Sequence, residues 1–175
     1  SSYDDSIHSN YDIEINGGTI EAKTGDDGAH AENSLTVNGG DLRIDNSYEG
    51  LEGAIITINK GNTYVNSTDD GFNVNANGGK LIINGGSLNI IAGGDGLDSN
   101  GSIVMTGGTA YVDGPTANNN GSLDYQVSFA ISGGTLVASG SSGMAQAPGS
   151  DSTQPSVLMY YTSMQAQGTA IVLKD

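Results

Sequence analysis

The sequence predicts an all-β fold: a right-handed single-stranded parallel β-helix of about seven rungs, each 21–26 residues long, filling residues 1–175 as one domain. Three observations predict it. A Gly-rich step returns at a nearly fixed interval, apolar residues alternate on both sides of each step, and an acidic corner recurs in register with them.

The steps are Asn16-Gly17-Gly18, Asn38-Gly39-Gly40, Asn59-Lys60-Gly61, Asn84-Gly85-Gly86, Thr106-Gly107-Gly108 and Ser132-Gly133-Gly134, spaced by 22, 21, 25, 22 and 26 residues. A period of this size marks a solenoid, because one repeat cannot bury its own apolar face and a stack of repeats can. The glycines suit positive-φ corners, and the Asn row at 16, 38, 59 and 84 reads as an internal amide ladder capping a turn.

Before each step the apolar residues sit two apart: Ile13 and Ile15, Leu35 and Val37, Ile56 and Ile58, Leu81 and Ile83, Ile103 and Met105, Phe129 and Ile131. After it, Ile20 and Ala22, Leu42 and Ile44, Thr63 and Val65, Leu88 and Ile90, Ala110 and Val112, and Leu136 and Ala138 repeat the pattern. Period two is the strand signature. Glycine every dozen residues, with no spacing of three and four sustained over three turns, opposes helices. Two rungs run long, by about three residues around Asn75 to Lys80 and about four from Asp113 to Asn120, and Ser141 to Pro155 is a looser Gly/Ser/Pro-rich excursion. Loops that bulge from a solenoid are binding elements or neutral insertions.

Composition narrows the function. The chain has 28 Gly, no Trp, no Cys and a net charge of −15 from five basic and twenty acidic residues. That balance excludes nucleic acid and membrane insertion as partners, since anionic surfaces require Lys and Arg, and no apolar run is long enough to span a bilayer. Absence of Cys excludes disulfides and thiolate metal sites.

Aligned on the steps, the corners read Asp4-Asp5-Ser6-Ile7-His8, Asp26-Asp27-Gly28-Ala29-His30, Tyr48-Glu49-Gly50-Leu51-Glu52, Asp69-Asp70-Gly71-Phe72-Asn73, Gly94-Asp95-Gly96-Leu97-Asp98 and Asn120-Gly121-Ser122-Leu123-Asp124. One column is Asp5, Asp27, Glu49, Asp70 and Asp95. The other is His8, His30, Glu52, Asn73, Asp98 and Asp124, and Asp26 and Asp69 precede the first column in their rungs. Rungs stack roughly 4.8 Å apart, so carboxylates in a column repel by about 1 kcal/mol in water and several-fold more when partly buried. Splaying into solvent, protonation or cations between rungs each relieves that repulsion, and cations also account for oxygen donors at both columns. Calcium, which takes six to eight oxygens at loose geometry, is the natural ion. A solvated acidic edge that keeps the solenoid soluble is the alternative. His8 and His30 lack a second His or Cys within their own rung, which favours a hydrogen-bonding role over zinc.

The central outward residues after the steps are Glu21, Arg43, Tyr64, Asn89, Tyr111 and Val137. Tyr64 and Tyr111 fall two rungs apart, roughly 10 Å, which is comparable to a disaccharide step in an extended glycan. They are the candidates for stacking on sugar rings, with cross-rung packing as the alternative.

From Asp4 to about Ala147 the chain resembles the bacterial secreted carbohydrate-binding β-helix family, pectate-lyase-like in fold. The resemblance is carried by Gly25-Asp26-Asp27-Gly28, Tyr48-Glu49-Gly50-Leu51-Glu52-Gly53, Gly94-Asp95-Gly96-Leu97-Asp98-Ser99-Asn100-Gly101 and Gly140-Ser141-Ser142-Gly143-Met144-Ala145-Gln146. It implies a non-catalytic, secreted or cell-surface module that binds calcium and recognises acidic, pectin-like plant cell-wall polysaccharide or cellulose. Calcium bridging would let an acidic protein hold an acidic glycan.

Two other functions are separable. A calcium-dependent polysaccharide lyase needs a base beside the metal, and among Lys23, Arg43, Lys60, Lys80 and Lys174 only Arg43 is placed to serve. A structural filament or adhesin subunit would self-associate end to end. The chain starts inside a rung with no amphipathic cap before Asp4, which predicts either an excised part of a longer chain or a stacking protomer.

Overall fold

The computed structural model describes residues 2–166 and 168–172. Every named element is a strand, and every strand pairing is parallel. Each turn carries three strand positions, at the acidic corner, before the Gly step and after it.

The corner ladder stacks β1 (Ile7–Ser9), the first part of β4 (Ala29–Val37), the first part of β6 (Leu51–Ile58), β8 (Phe72–Val74), β11 (Leu97–Ser99) and β14 (Leu123–Tyr125). The ladder before the step stacks β2 (Asp12–Ile15), the later parts of β4 and β6, β9 (Lys80–Ile83), β12 (Ser102–Met105) and β15 (Ser128–Ile131). Because β4 and β6 run through both, these ladders form one ten-stranded sheet. The ladder after the step is a separate six-stranded sheet of β3 (Thr19–Ala22), β5 (Asp41–Ser47), β7 (Asn62–Ser67), β10 (Ser87–Ala92), β13 (Thr109–Asp113) and β16 (Thr135–Ser139).

The apolar columns pair residue for residue as the sequence predicts. Ile13, Leu35, Ile56, Leu81, Ile103 and Phe129 are stacked in register, as are Ile7, Ala29, Leu51, Phe72, Leu97 and Leu123. Except for the half-buried Ile7, all of these are in the core. Small or missing side chains set the corner's shape. A Cβ on Gly71 would lie 2.4 Å from the Gly96 carbonyl oxygen and 2.3 Å from Ile90 Cγ2, so the chain turns there only with glycine. The last glycine of every step has φ between +85° and +93°, the left-handed region that other residues enter at a cost.

Among the described residues six turns carry strands, against about seven expected. The seventh is a strandless segment laid along the last rung: Gln146 Oε1 accepts from Tyr125 N, and the Gly149 and Thr153 amides donate to the Phe129 and Ile131 carbonyls. The extra residues fall where the spacing put them, between β8 and β9 and between β13 and β14.

The Asn row does form a ladder. Asn38 Nδ2 donates to Asn16 Oδ1 at 2.9 Å, Asn59 to Asn38 at 2.8 Å and Asn84 to Asn59 at 2.9 Å, and the Thr106 hydroxyl donates to Asn84 Oδ1. It lies on the outside of the coil instead of the inside, with Asn16 and Asn84 exposed and Asn38 and Asn59 half-buried. The preceding residues Ile15, Val37, Ile58 and Ile83 point inward, and strand alternation turns the next side chain out. Asn59→Ala breaks two rungs of the ladder and is expected to cost about 1–2 kcal/mol, read as a lower urea midpoint at unchanged slope.

Candidate functional site

The acidic corner owes its geometry to the apolar residue beside each carboxylate. Leu51, Phe72 and Leu97 are fully buried, and their neighbours are held at the rim of the core. The register His8, His30, Glu52, Asn73, Asp98, Asp124 is the one the alignment gives. In the other column one oxygen of each Asp is already used by the next rung. Asp5 Oδ1 accepts from the Asp27 amide at 3.1 Å, Asp27 Oδ1 from the Glu49 amide at 3.2 Å, and Asp70 Oδ1 from the Asp95 amide at 2.7 Å. Asp95 Oδ1 accepts from the Gly121 amide. These bonds continue the backbone ladder through the corner and leave the second oxygen of each carboxylate for another partner.

Glu49, one methylene longer, accepts instead from Asn73 Nδ2, at 2.9 Å to each oxygen. Glu52 Oε1 accepts from Asn75 at 2.7 Å, and Asp124 Oδ1 from Gln146 at 2.8 Å. Asp26 is exposed, and Asp69 lies beside Tyr48 and pushes its hydroxyl up to about 12. The cost of assembling so many carboxylates is visible in their acidities. Burial, with neighbouring carboxylates adding to it, pushes Asp27 and Asp70 up to about 8 and Glu49 and Asp98 to about 7, and raises Asp95.

At the first two rungs the column changes character. His8 Nδ1 is 2.8 Å from Asp5 Oδ2, and His30 Nδ1 lies 3.5 Å from the same oxygen, 3.7 Å from Asp27 Oδ2 and 3.4 Å from Glu52 Oε2. Among the described residues, the groups whose ligand atoms all lie within 4.8 Å of one another are Asp5–His8–His30, Asp27–His30–Glu52 and Asp4–Asp5–Asp26. Looking for partners within a rung missed the histidine pair, which meets across rungs. Their place in one column was the signal that could have found it.

The other candidate surface is the outer face of the six-stranded sheet. Glu21, Arg43, Tyr64, Asn89, Tyr111 and Val137 form one in-register row across it. Arg43 lies over the Tyr64 ring at 4.0 Å from its centroid and is fixed by a two-pronged bond to Asp45, both contacts 2.7 Å. One face of Tyr64 is therefore taken by the guanidinium. Tyr111 is 52% exposed. A shallow depression of about 260 Å³ opens beside Arg43, Tyr64 and Asn89, edged by the side chains of Thr19, Asp41, Asn62 and Ser87. Hydroxyls, amides and an aromatic edge, in rows at the rung spacing, suit a long polar ligand with apolar ring faces.

A family model described as carbohydrate-binding domain-containing protein matches residues 27–172. The chain belongs to that family. No curated protein and no solved structure matches it. The matched residues take in Arg43, Tyr64 and Tyr111 and the corner from Asp27 onward, while the rung holding Asp5 and His8 precedes them. Membership in that family points to a carbohydrate partner. Among the described residues, no helix of this domain is long and apolar enough to cross a membrane.

Proposed function

We propose that the protein is a non-catalytic polysaccharide-binding module that lays an extended glycan along the row Arg43, Tyr64, Asn89 and Tyr111. The observation that carries this reading is the register itself, which sets Tyr64 and Tyr111 two rungs apart with a hydrogen-bonding residue between them. Two rungs span roughly 9–10 Å, a disaccharide step, so each second sugar meets an aromatic edge while amides and hydroxyls meet the intervening one. The site is open and linear, as suits a polymer bound mid-chain.

The ligand class in this proposal is an acidic plant cell-wall polysaccharide of the pectin type, with cellulose as the neutral counterpart. The module works outside the cell or at its surface. Calcium supports the fold. The second oxygens of Asp27, Asp70 and Asp95, with Glu52, Asp98 and Asp124 of the neighbouring column, supply the hard oxygen donors that calcium takes, and Glu49, Asn73, Asp26 and Asp69 lie beside them. Bound calcium also presents positive charge through which an acidic glycan and an acidic protein can meet.

The lyase alternative has a specific difficulty in the geometry. Arg43 is bound to Asp45 and stacked on Tyr64, on the sheet that does not carry the acidic corner. A base there would be remote from the proposed calcium. Tyr111→Ala is expected to weaken polygalacturonate binding about tenfold, from the loss of one aromatic contact of about 1–1.5 kcal/mol. Thermal stability should be unchanged. Affinity electrophoresis in polysaccharide-containing gels reads the first, and equal melting curves the second.

A further inference from the structure

We propose that the first two rungs hold a zinc-class transition metal, with Asp5, His8 and His30 as its ligands. This site stands independently of the glycan-binding proposal, and its three ligands are not among the calcium donors of the later rungs, although Asp27 and Glu52 border both. The parallel pairing of His8 with His30 brings two imidazoles from separate turns to one place, with ring centroids 5.1 Å apart and planes at 84°. Asp5, whose side chain is 9% exposed, faces both.

The distances bracket those of ligands around a shared ion, the shorter being a His8–Asp5 hydrogen bond that the ion would replace. In a tetrahedral zinc site with bonds of about 2.0–2.1 Å, ligand atoms are separated by roughly 3.3 Å. Here the Asp5 Oδ2 separations from the two Nδ1 atoms are 2.8 and 3.5 Å. His30 Nδ1 also stands 3.4 Å from Glu52 Oε2 and 3.7 Å from Asp27 Oδ2, either of which can complete the set. A lone imidazole N–H can donate to one acceptor well. Three carboxylates, none closer than 3.4 Å, surround this nitrogen, an arrangement that a bound cation satisfies and a single hydrogen bond does not.

A second observation comes from the far side of each ring. Metal-ligating histidines characteristically turn their other nitrogen to an oxygen acceptor, which fixes the tautomer. His8 Nε2 sits 3.2 Å from Asn10 Oδ1. His30 Nε2 is buried without a hydrogen-bond partner, and the nearest carboxylate oxygen is Glu32 Oε1 at 4.0 Å. Both rings thus direct Nδ1 into the cluster, and His8 alone has its Nε2 on an outer oxygen acceptor, while His30 Nε2 is left without a partner. Nitrogen donors separate this site from the all-oxygen corner beyond it, because imidazole suits zinc and its neighbours in the transition series, whereas calcium takes oxygen. An ion here would tie β1 to β4, the two strands that carry its histidines.

The test uses the full chain, stripped with chelator and returned to buffer with excess calcium. Titration with zinc, followed by calorimetry, and with cobalt(II), followed by visible absorption, is expected to show one site per chain with the spectrum of a nitrogen-ligated cobalt ion. His8→Ala should weaken zinc at least about tenfold and abolish that spectrum, while leaving calcium-dependent stabilisation unchanged. His8 has a side chain 44% exposed, so its removal spares the core, and His8→Gln serves as a second variant that keeps the bulk. Failure of wild-type protein to take up zinc in excess calcium would overturn the proposal, and so would equal zinc affinity in wild type and both variants.

Discussion

Phe72→Ala is expected to destabilise the protein by about 3–5 kcal/mol, the range for emptying an aromatic site in a packed core. Phe72 is among the largest fully buried side chains, and it pairs with Leu51 on one side and Leu97 on the other. The stack is narrow, so few neighbours can move in to fill the space. Phe72 is also the anchor between Asp70 and Asn73, and its loss should loosen both acidic columns at mid-stack. Urea unfolding followed by circular dichroism measures the effect. A loss below 1 kcal/mol would mean that the corner is not supported from the core as described.

In chelator, stability is expected to fall as pH rises from 5 to 8, and calcium is expected to oppose that fall. Asp27 and Asp70 are held at about 8 and Glu49 and Asp98 at about 7, against ordinary values of 3.8 for Asp and 4.5 for Glu. The sign follows from proton counting. Between those limits the folded chain keeps protons that the unfolded chain has released, so the slope of unfolding free energy with pH is negative. Below about pH 4 both states are protonated and the penalty vanishes. Above about pH 8 both are ionised and it is complete. Glu49, Asp70 and Asp98 are only partly buried, whereas Asp27 is buried, so solvent screens part of the repulsion at three of the four. Even one kcal/mol shifts the melting temperature by about 2–4 °C in a chain of this size. Millimolar calcium should raise the melting temperature more at pH 8 than at pH 5, because it binds the ionised form of the folded state. Asp70→Asn should flatten the pH dependence in chelator and reduce the calcium response. A melting temperature independent of both pH and calcium would remove calcium from the account.

Much of this was legible in the sequence because the repeats carry their own register. The Asn-Gly-Gly steps fix where each turn restarts, and strand alternation then decides every inward residue, which is why Ile13 to Phe129 pair as aligned. What alignment does not show is where a polar side chain finds its partner. The Asn row was placed inside the coil, yet parity with Ile15 and Val37 sends it outward. The Asp column suggested bare repulsion, and the next-rung amide that takes one oxygen of each Asp became visible only in the fold. His8 and His30 were aligned in one column but judged within single rungs. On the other sheet, spacing marked Tyr64 and Tyr111 as equals, whereas Arg43 covers one face of Tyr64 alone. Among the described residues no strand follows Ser139, although Gly140-Ser141-Ser142-Gly143 resembles a corner; thirteen residues separate that corner from the next apolar run, Val157 to Tyr161, where the earlier rungs leave only a few.

The central claim is that the outer face of the six-stranded sheet holds polysaccharide. Its most direct measurement is the affinity of wild type, the double variant Arg43→Ala/Tyr111→Ala and the corner variant Asp98→Asn for polygalacturonate and for cellulose, with calcium present throughout. The account predicts that the sheet-face double variant loses most of its affinity for at least one of these polymers while keeping the wild-type melting temperature, and that Asp98→Asn loses less. Wild-type affinity in the sheet-face variant, or no binding of either polymer by the folded wild-type protein, would contradict it.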